Sequence, residues 1–301
     1  MTDSPKQSTD HIALIRPAVF FANPETMPSN PYQDQQKPVS EEEIYQQALK
    51  EFEGFHQMLL ENGITVTVLH GHPDCPDHIF PNFLGTHEKG HAILYPMATE
   101  NRAKERTPEI MSFVHRHYEI LHDLTVYEQE GKALEANASV CLDRVNKIGY
   151  AALSSRTHKE LALEWGRMMG YEIIICETAL ESGLPVYHTD LVMFIGDDFA
   201  CVCFDVMTSG AAEVRKYLER SGKEIIEISL DQLNHMCGNA LQVLGKDRQK
   251  YLIMSSHAYE HFTEDQLARF HAHVDHIIHA PIPTIERYGG GSARCLIQEL
   301  F

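Results

Sequence analysis

The sequence predicts a single α/β domain with internal pseudo-symmetry, and three observations support this prediction. Short apolar segments alternate with helical patterns along the whole chain. The order of strand, polar turn, strand, helix and strand recurs about every 50 residues, in modules that begin near Ala92, Ser139, Leu191 and Leu241. At 301 residues the chain can bury a substantial core, and a run of similar modules favours one domain over two.

The opening segment predicts a strand, a long loop, a helix and a second strand. The strands are HIALIR and ITVTVL, and Ser40 and Glu43 have the spacing of a capping box that begins the helix. Residues 1–10 are polar, so we expect a flexible tail before a single domain over residues 11–301. The loop at residues 23–37 is rich in Asn, Pro and Gln, and we expect it to be ordered, because long loops in compact domains are often functional.

The following modules predict the remaining elements in order. The second has the strand HAILYPM, no clear second hairpin strand and a helix over residues 107–117, with Thr107 and Pro108 suited to its start. The third has SVCL, IGYAAL, a helix over 157–169 and YEIIIC; the fourth has LVMFIG, FACVCFDV, a helix over 209–220 and EIIEIS. The fifth has ALQVL, YLIMS, a helix over 263–274 and HIIHA, and CLIQELF is the last strand. Coincidental alternation of strands and helices is the alternative explanation.

The composition restricts the class of partner. The net charge is −18 and the basic residues are not clustered, which argues against nucleic acid or anionic lipid and favours a small cationic or zwitterionic ligand. The sequence has no apolar run near the roughly 18 residues that a membrane helix needs, so no membrane partner is expected. Seven cysteines without a signal peptide predict a reduced, cytoplasmic protein. The acidic surface permits a monomer or a homodimer equally.

Reactive residue types recur immediately before the first strand of each module. In chain order they are Asn82 and His87, Glu135, His188 and Asp190, Gly238 and Asn239, and the segment GGGSARC that contains Gly291 and Cys295. Equivalent positions of a pseudo-symmetric fold surround its axis, so we expect these residues to converge on one site.

Three of these residues predict covalent catalysis. Cys295 is the candidate nucleophile, His188 the general acid and base, and Glu135 the group that orients it. We expect the imidazole to favour the thiolate form of the cysteine. Asp190 can hold a cationic substrate through charge-assisted hydrogen bonds, and the substrate-binding candidates besides it are Asn82, His87, Asn239 and Gly291.

Other patterns predict structural roles. Cys201 and Cys203 alternate on one strand and are expected in the core rather than at a metal, because no second cysteine pair accompanies them. His257 and His261 have helical spacing, but no HExxH pattern surrounds them, so a surface or a helix cap is favoured over zinc. No metal site is predicted.

Many ordered segments of this chain resemble the guanidine-modifying, or pentein, superfamily of arginine deiminases, dimethylarginine hydrolases and amidinotransferases. The sequence looks most like the branch of amidinotransferase-type citrulline-utilisation hydrolases. The matching segments are RPAVFFANPET, SNPYQ, PNFLGTH, LYPM, NRAKER, LEANAS, LDRVNKIGYAALSSRT, YHTD, GNALQV and GGGSARC. The resemblance implies a five-bladed α/β propeller with pseudo-five-fold repeats and a reaction that needs no cofactor.

The resemblance also implies a role for each candidate. Cys295 would attack the guanidino or ureido carbon of an arginine-like or citrulline-like substrate to form a covalent intermediate. His188 would protonate the leaving amine and then activate water, while Glu135 and Asp190 would bind the substrate nitrogens. A hydrolase, an amidinotransferase and a non-catalytic ligand-binding descendant of the fold are the alternatives.

Two segments depart from the pattern of the branch. PNFL stands where PNNW is usual, so Phe83 or a gap takes the place of the second guanidinium-binding carboxylate of the deiminases. EANAS stands where EGTGS is usual, so alanines replace glycines around Glu135. Both changes leave the three catalytic candidates intact, and the choice among arginine, methylarginine and citrulline stays open.

Overall fold

The computed structural model describes residues 6–34, 36 and 39–301, and these form an α/β structure. The strands of this part of the chain are β1 (His11–Arg16), β2 (Thr65–His70), β3 (Leu84–His87), β4 (His91–Leu94), β5 (Glu119–Asp123), β6 (Cys141–Asp143), β7 (Ile148–Ala152), β8 (Glu172–Thr178), β9 (Met193–Ile195), β10 (Phe199–Val202), β11 (Met207–Ser209), β12 (Glu224–Glu227), β13 (Leu241–Leu244), β14 (Lys250–Ser255), β15 (His276–Ala280) and β16 (Gln298–Glu299). The helices are α1 (Glu41–Glu61), α2 (Glu100–Ala103), α3 (Pro108–His117), α4 (Ala136–Ser139), α5 (Lys159–Met169), α6 (Thr189–Val192), α7 (Ala211–Arg220), α8 (Leu230–Asn234), α9 (Ser256–His261), α10 (Glu264–His271) and α11 (Pro283–Gly289).

Within the described residues the strands form five small sheets that share one pattern of connections. Each sheet has an antiparallel pair and a third strand that runs parallel to the central one after a helical crossover, as in β6, β7, α5 and β8. In the sheet of β16, β1 and β2, the antiparallel partner comes from the end of the chain, and Ile12 pairs with Glu299. The repeated order of strand, strand, helix and strand is therefore confirmed.

Helix α1 shows how the sequence fixes an element and its packing. The capping box is present, because Glu43 N donates to Ser40 Oγ at 3.2 Å and Ser40 N donates to Glu43 Oε2 at 2.9 Å. One face of the helix is buried, with side chains that recur at helical spacing: Ile44, Ala48, Phe52, Phe55 and Leu59. Each large apolar side chain buried in this way contributes about 1.5–3 kcal/mol.

The second module differs from its predicted form. Its missing hairpin strand is β3, which precedes HAILYPM and pairs antiparallel with β4. The sequence LGTH has only one large apolar residue, so alternation did not reveal it, and Gly85 lies close against the ring of Tyr95. His87 therefore lies in a strand, not in the loop before the first strand.

The strand at the end of the chain is also shorter than predicted. A 3-10 turn, Arg294–Leu296, overlaps the start of CLIQELF, and only the two residues of β16 have strand pairing. Cys295 lies in that turn, before the strand rather than at its head. The strand in FACVCFDV likewise ends at Val202.

The predicted tail over residues 1–10 is wrong where the structure describes it. Residues 1–5 lie outside the described residues, but Gln7, Ser8 and Thr9 are buried. Gln7 Nε2 donates to the carbonyl of Leu142 at 2.8 Å, and Thr9 Oγ1 donates to the carbonyl of Leu300. Polar side chains that find buried backbone partners are as well fixed as apolar ones, and hydropathy alone does not reveal this.

The predicted ordered loop at residues 23–37 packs into the interior, and its residues 35 and 37 lie outside the described part. Asn23, Thr26 and Asn30 are buried, and Asn23 Nδ2 donates to Asp77 Oδ2 at 2.8 Å.

No helix of the described chain is long and apolar enough to span a membrane. The seven cysteines are buried and have free thiols.

Candidate active site

Loops from several modules meet at one small cavity. The residues that line it are Asn30, Asp77, Phe80, Asn82, Arg102, Arg156, Tyr187, His188, Gly289 and Cys295. Two of the catalytic candidates, His188 and Cys295, line the cavity, and Glu135 contacts His188 directly. The structure thus places these three residues close together.

The three catalytic candidates occupy equivalent local positions. Glu135 immediately precedes α4 and then β6, and His188 immediately precedes α6 and then β9. Cys295 lies in a helical turn before β16. A short turn ahead of each strand therefore presents a reactive side chain at the strand entrance, which explains why the sequence repeat located all three.

Glu135 and His188 form a buried pair. His188 Nε2 lies 2.7 Å from Glu135 Oε2, and Ala98 N donates to Glu135 Oε1 at 3.1 Å. Burial opposes ionisation of this carboxyl, but Arg156, His188 and Arg102 together hold its pKa well below its usual range. Burial lowers the pKa of His188 despite the neighbouring carboxylate. The imidazole is thus oriented through Nε2, and Nδ1 has no hydrogen-bond partner within the described residues.

Two buried arginines surround Glu135, and the sequence argument assigned no role to either. Arg102 Nη1 and Arg156 Nη1 each lie 3.7 Å from Glu135 Oε2. Arg102 also pairs with Glu105 at 2.8 Å, while Arg156 Nε donates to Ser29 Oγ at 3.1 Å. Both lie in segments that carried the family resemblance, NRAKER and LSSRT. The presence of an arginine in each of these segments is the sequence signal that could have identified the two residues.

The thiol of Cys295 is held by an amide and a carboxylate. Asn239 Nδ2 lies 3.2 Å from Sγ, and Sγ lies 3.5 Å from Asp190 Oδ2. Burial, and next the charge of Asp190, raise the pKa of the thiol far above its usual value. The expectation that the imidazole favours a thiolate is therefore wrong for the ligand-free protein, because the ionisable group in contact with the sulfur is an acid.

Asn239 and the glycines fix the backbone around that thiol. Asn239 Oδ1 accepts from Arg294 N at 3.0 Å and from Cys295 N at 3.3 Å. Gly290 has φ +65°, and a Cβ there would lie 2.6 Å from Asn30 Oδ1. A Cβ on Gly291 would lie 3.2 Å from Cys295 Sγ. The close approach of the backbone to the sulfur therefore leaves little room for side chains.

The other predicted residues are placed differently. Asn82 lines the cavity as expected, but His87 does not. His87 lines a separate cavity with Arg144 and packs against Trp165, and burial lowers its pKa to about 3. Phe83 is a core residue. The reason for the error at His87 is its place at the far end of β3, which carries it away from the entrance of the strand.

Asp77 is a site residue that the sequence argument missed. Its Oδ2 accepts from Asn23 Nδ2 and Thr26 Oγ1, both at 2.8 Å. Its Oδ1 has no hydrogen-bond partner in the described chain, although Asp77 is only 3% exposed and lines the cavity. Asp77 therefore places a carboxylate at the cavity, whereas Phe83 has no carboxylate to offer. Its loop, HPDCPDH, lies outside the repeat, so position gave no signal.

A protein-family model shows which family this chain belongs to. The model of the family described as N,N dimethylarginine dimethylhydrolase, eukaryotic, matches residues 16–301. The chain belongs to this family. The resemblance to the guanidine-modifying superfamily is thereby confirmed. A search of curated proteins finds no significant match.

Solved structures share the fold. The cyanobacterial arginine dihydrolase ArgZ superposes with a TM-score of 0.75 at 14% identity, covering 96% of this chain and 40% of that protein. Its N-terminal domain bound to substrate also gives 0.75 at 14%, with 96% and 97% coverage. A dimethylarginine dimethylaminohydrolase adduct with S-methyl-L-thiocitrulline gives 0.65 at 17% identity, covering 98% and 100%. The chain thus spans 40% of the full-length dihydrolase and nearly all of its N-terminal domain.

Proposed function

We propose that the protein is a cysteine-dependent hydrolase that cleaves a guanidino C–N bond of arginine or an Nω-methylated arginine. The observation that carries this proposal is the meeting of Cys295, the Glu135–His188 pair and the Asp77 carboxylate at one buried cavity. Membership of the dimethylarginine dimethylhydrolase family and the structures of arginine-modifying neighbours support the same chemistry. Citrulline, with a neutral ureido group, is a weaker candidate because the carboxylates favour a cation.

The unpartnered polar atoms define how such a substrate binds. The Oδ1 atoms of Asp77 and Asp190 are buried acceptors without a hydrogen-bond partner in the part of the chain that is described. A guanidinium carries N–H donors in a fixed plane and binds carboxylates through charge-assisted hydrogen bonds. Its positive charge next to Cys295 would also lower the pKa of the thiol. Substrate binding therefore supplies the activation that the ligand-free site does not show.

The reaction then proceeds in two displacements. As the thiol proton passes to His188 Nδ1, Cys295 Sγ bonds to the guanidino carbon, and His188 returns that proton to the departing amine. A covalent thiouronium remains on the sulfur. His188 next takes a proton from water, and the hydroxide adds to the same carbon. The C–S bond breaks as His188 returns that proton to the sulfur, and the added hydroxyl loses its proton to the released amine or to solvent, which leaves a neutral ureido product and the thiol. Glu135 keeps the imidazole oriented throughout.

We further propose that the five sheets surround one axis as the blades of a propeller within a single domain, which includes residues 11–301 and the buried residues 7–9. The support is that the loops ahead of their first strands reach a common cavity. The free thiols agree with a reducing cytoplasmic location. Light scattering during size-exclusion chromatography tests whether the protein is a monomer or a homodimer.

The deciding experiment follows products from arginine, asymmetric dimethylarginine, citrulline and agmatine. We expect alkylamine and citrulline from the methylated substrate, or ammonia from arginine, and a mass adduct on Cys295 in rapidly quenched enzyme. Cys295→Ser should abolish both, whereas Cys203→Ser, which changes another buried thiol outside the cavity, should retain them.

Three outcomes separate the alternatives. Turnover that survives Cys295→Ser contradicts the covalent mechanism. A new guanidino product that appears only when an amine acceptor is added identifies an amidinotransferase. Protection of Cys295 from alkylation by arginine without any turnover identifies a ligand-binding descendant of the fold.

A further inference from the structure

Three histidines form a cluster outside the cavity. His235 directly follows α8, while His257 and His261 lie one turn apart on α9. One ring nitrogen of each lies within 4.8 Å of the other two. The helical pair alone favoured a surface or a cap, and the third histidine comes from an earlier element that sequence spacing does not connect to it.

The second ring nitrogen of each histidine is already oriented. His235 Nδ1 lies 2.8 Å from the carbonyl oxygen of Asp231, and His261 Nδ1 lies 2.7 Å from that of His257. His257 Nδ1 lies 3.3 Å from Glu286 Oε2. Histidines that bind metals almost always donate their other N–H to a carbonyl or a carboxylate, which fixes the tautomer and leaves Nε2 as the ligand.

We propose that His235, His257 and His261 bind a divalent transition-metal ion of the zinc class through their Nε2 atoms. Three imidazoles with oriented outer partners are a ligand set that suits zinc, copper or nickel, and not calcium or magnesium. The three side chains are half-buried, and the adjacent groove is lined by His257, Glu260 and Glu286, so an ion reaches the site from solvent.

Metal binding requires a short approach of the nitrogens and a reorientation of two rings. Zinc–nitrogen bonds of about 2.0–2.1 Å place two tetrahedral ligand atoms roughly 3.4 Å apart. The nitrogens must therefore approach one another by at most roughly 1.4 Å from their present limit of 4.8 Å. The rings of His235 and His261 stack at 3.7 Å with an 11° interplanar angle, and they must splay because each lone pair lies in its ring plane. A fourth position stays open to water.

The proposed metal site is linked to the catalytic loop through one carboxylate. Glu286 Oε2 faces His257 Nδ1, and Glu286 Oε1 accepts from Ser292 Oγ at 2.5 Å. Ser292 belongs to the segment that carries Cys295. A metal on Nε2 fixes the proton of His257 on Nδ1 and so holds Glu286 in the orientation that anchors this loop.

The test is a zinc and cobalt titration of the chelator-treated, full-length Cys295→Ser protein, since that substitution removes thiolate binding in the catalytic cavity. We expect one equivalent of metal, and for cobalt the visible absorption of a tetrahedral complex. His235→Gln and His261→Gln should each weaken affinity by more than about 100-fold, because even an outer partner is worth 10–100-fold. Glu286→Gln, which alters an outer partner, should cost about 10–100-fold.

His271→Gln is the matched control, because His271 is an exposed histidine on a neighbouring helix, and it should leave the affinity unchanged. Circular dichroism of every variant checks that the fold is retained. Unchanged one-equivalent binding in the His235→Gln/His261→Gln double variant would overturn the proposal, and so would the absence of binding by the chelator-treated parent at millimolar metal. Neither result bears on turnover of guanidino substrates by the unmodified enzyme.

Discussion

Two buried carboxylates, one in contact with His188 and the other in contact with Cys295, behave in opposite ways. Glu135 faces two arginines and an imidazole, and its pKa lies well below its usual range despite burial. Asp190 is equally buried, but burial raises its pKa because its attractive neighbours are weaker. We call the Glu135 side complete, because its cationic neighbours outweigh burial, and the Asp190 side incomplete, because those of Asp190, His188 and Arg294, do not.

The distribution of unpartnered atoms repeats this difference. His188 Nδ1, Asp77 Oδ1 and Asp190 Oδ1 are buried without partners in the described chain, whereas both oxygens of Glu135 are engaged. Buried polar groups without partners are costly, and they persist where a ligand supplies the missing contacts. Glu135 therefore orients His188, whereas Asp77 and Asp190 each keep one acceptor atom without a partner in the described chain, which suits the guanidinium substrate proposed above.

The largest effect is expected from Glu135→Gln, which disrupts the complete side. The amide cannot stabilise the imidazolium, so kcat should fall by about 10³–10⁴-fold, as for other residues that orient a catalytic histidine. Arg156 loses its only carboxylate partner among the described residues, and unfolding should become easier by roughly 3–5 kcal/mol. Steady-state kinetics and urea denaturation measure the two effects.

Glu128→Gln is the control for Glu135→Gln, because it breaks the Arg106–Glu128 ion pair away from the cavity. It should reduce stability without changing kcat. If Glu135→Gln lowers stability but keeps full kcat, then Glu135 is only a structural ion-pair partner, and the contrast between the two sides is wrong.

Asp190→Asn disrupts the incomplete side and should have the next largest effect. Loss of a charge-assisted hydrogen bond worth about 2–3 kcal/mol lowers kcat/KM for a guanidinium substrate by roughly 30–150-fold. The same change should make free Cys295 more reactive towards iodoacetamide, because the carboxylate next to it raises the pKa of the thiol. Asp205→Asn, at an exposed position, should change neither quantity. If Asp190→Asn lowers both turnover and thiol reactivity, then Asp190 does not raise the pKa of the Cys295 thiol.

A smaller effect is expected from Gly291→Ala. The added Cβ would lie 3.2 Å from Cys295 Sγ and 3.3 Å from Phe80 Cε1, so the sulfur must move by a few tenths of an ångström. We expect kcat to fall by about tenfold, since misplacement by about 1 Å can cost 10²-fold. Gly54→Ala, where a Cβ has open space, should leave kcat unchanged. Equal effects of the two substitutions would show that the sulfur does not need its present position.

The smallest expected effect is the opposite pH dependence of the contributions that Glu135 and Asp190 make to the free energy of unfolding. The folded pKa of Glu135 is depressed, so its contribution is present above its unfolded pKa and is lost as pH falls towards the folded value. The folded pKa of Asp190 is raised, so its contribution is present at low pH and is lost as pH rises through the folded value. Asp190→Asn should therefore raise the Tm of the ligand-free protein at neutral pH, by roughly 2–4 °C for each kcal/mol recovered. An unchanged or lower Tm would contradict the interpretation that burial of the Asp190 carboxylate is not offset by its cationic neighbours.

The sequence predicted the parts of the fold and the site that follow local rules. Capping signals at Ser40 and Thr107 began helices where expected, and the repeat located Glu135, His188 and Cys295. It failed for β3, whose pairing depends on the packing of a glycine against Tyr95 and not on alternation. It also failed for Asp77, which reaches the cavity on an irregular loop held by Asn23 and Thr26. Long-range hydrogen bonds of this kind leave no periodic trace in the sequence.

The pairing of β1 with β16 has a consequence for folding kinetics. Contacts between residues so far apart along the chain have a high loop-closure entropy, and non-local topologies of this kind fold slowly. The turn that holds Cys295 lies directly before β16, so we expect Cys295 to reach its position only after that pairing has formed. In refolding experiments, activity should therefore recover after the bulk of the circular dichroism signal. We expect the environment of Cys295 to report on the pairing of β1 with β16 during assembly.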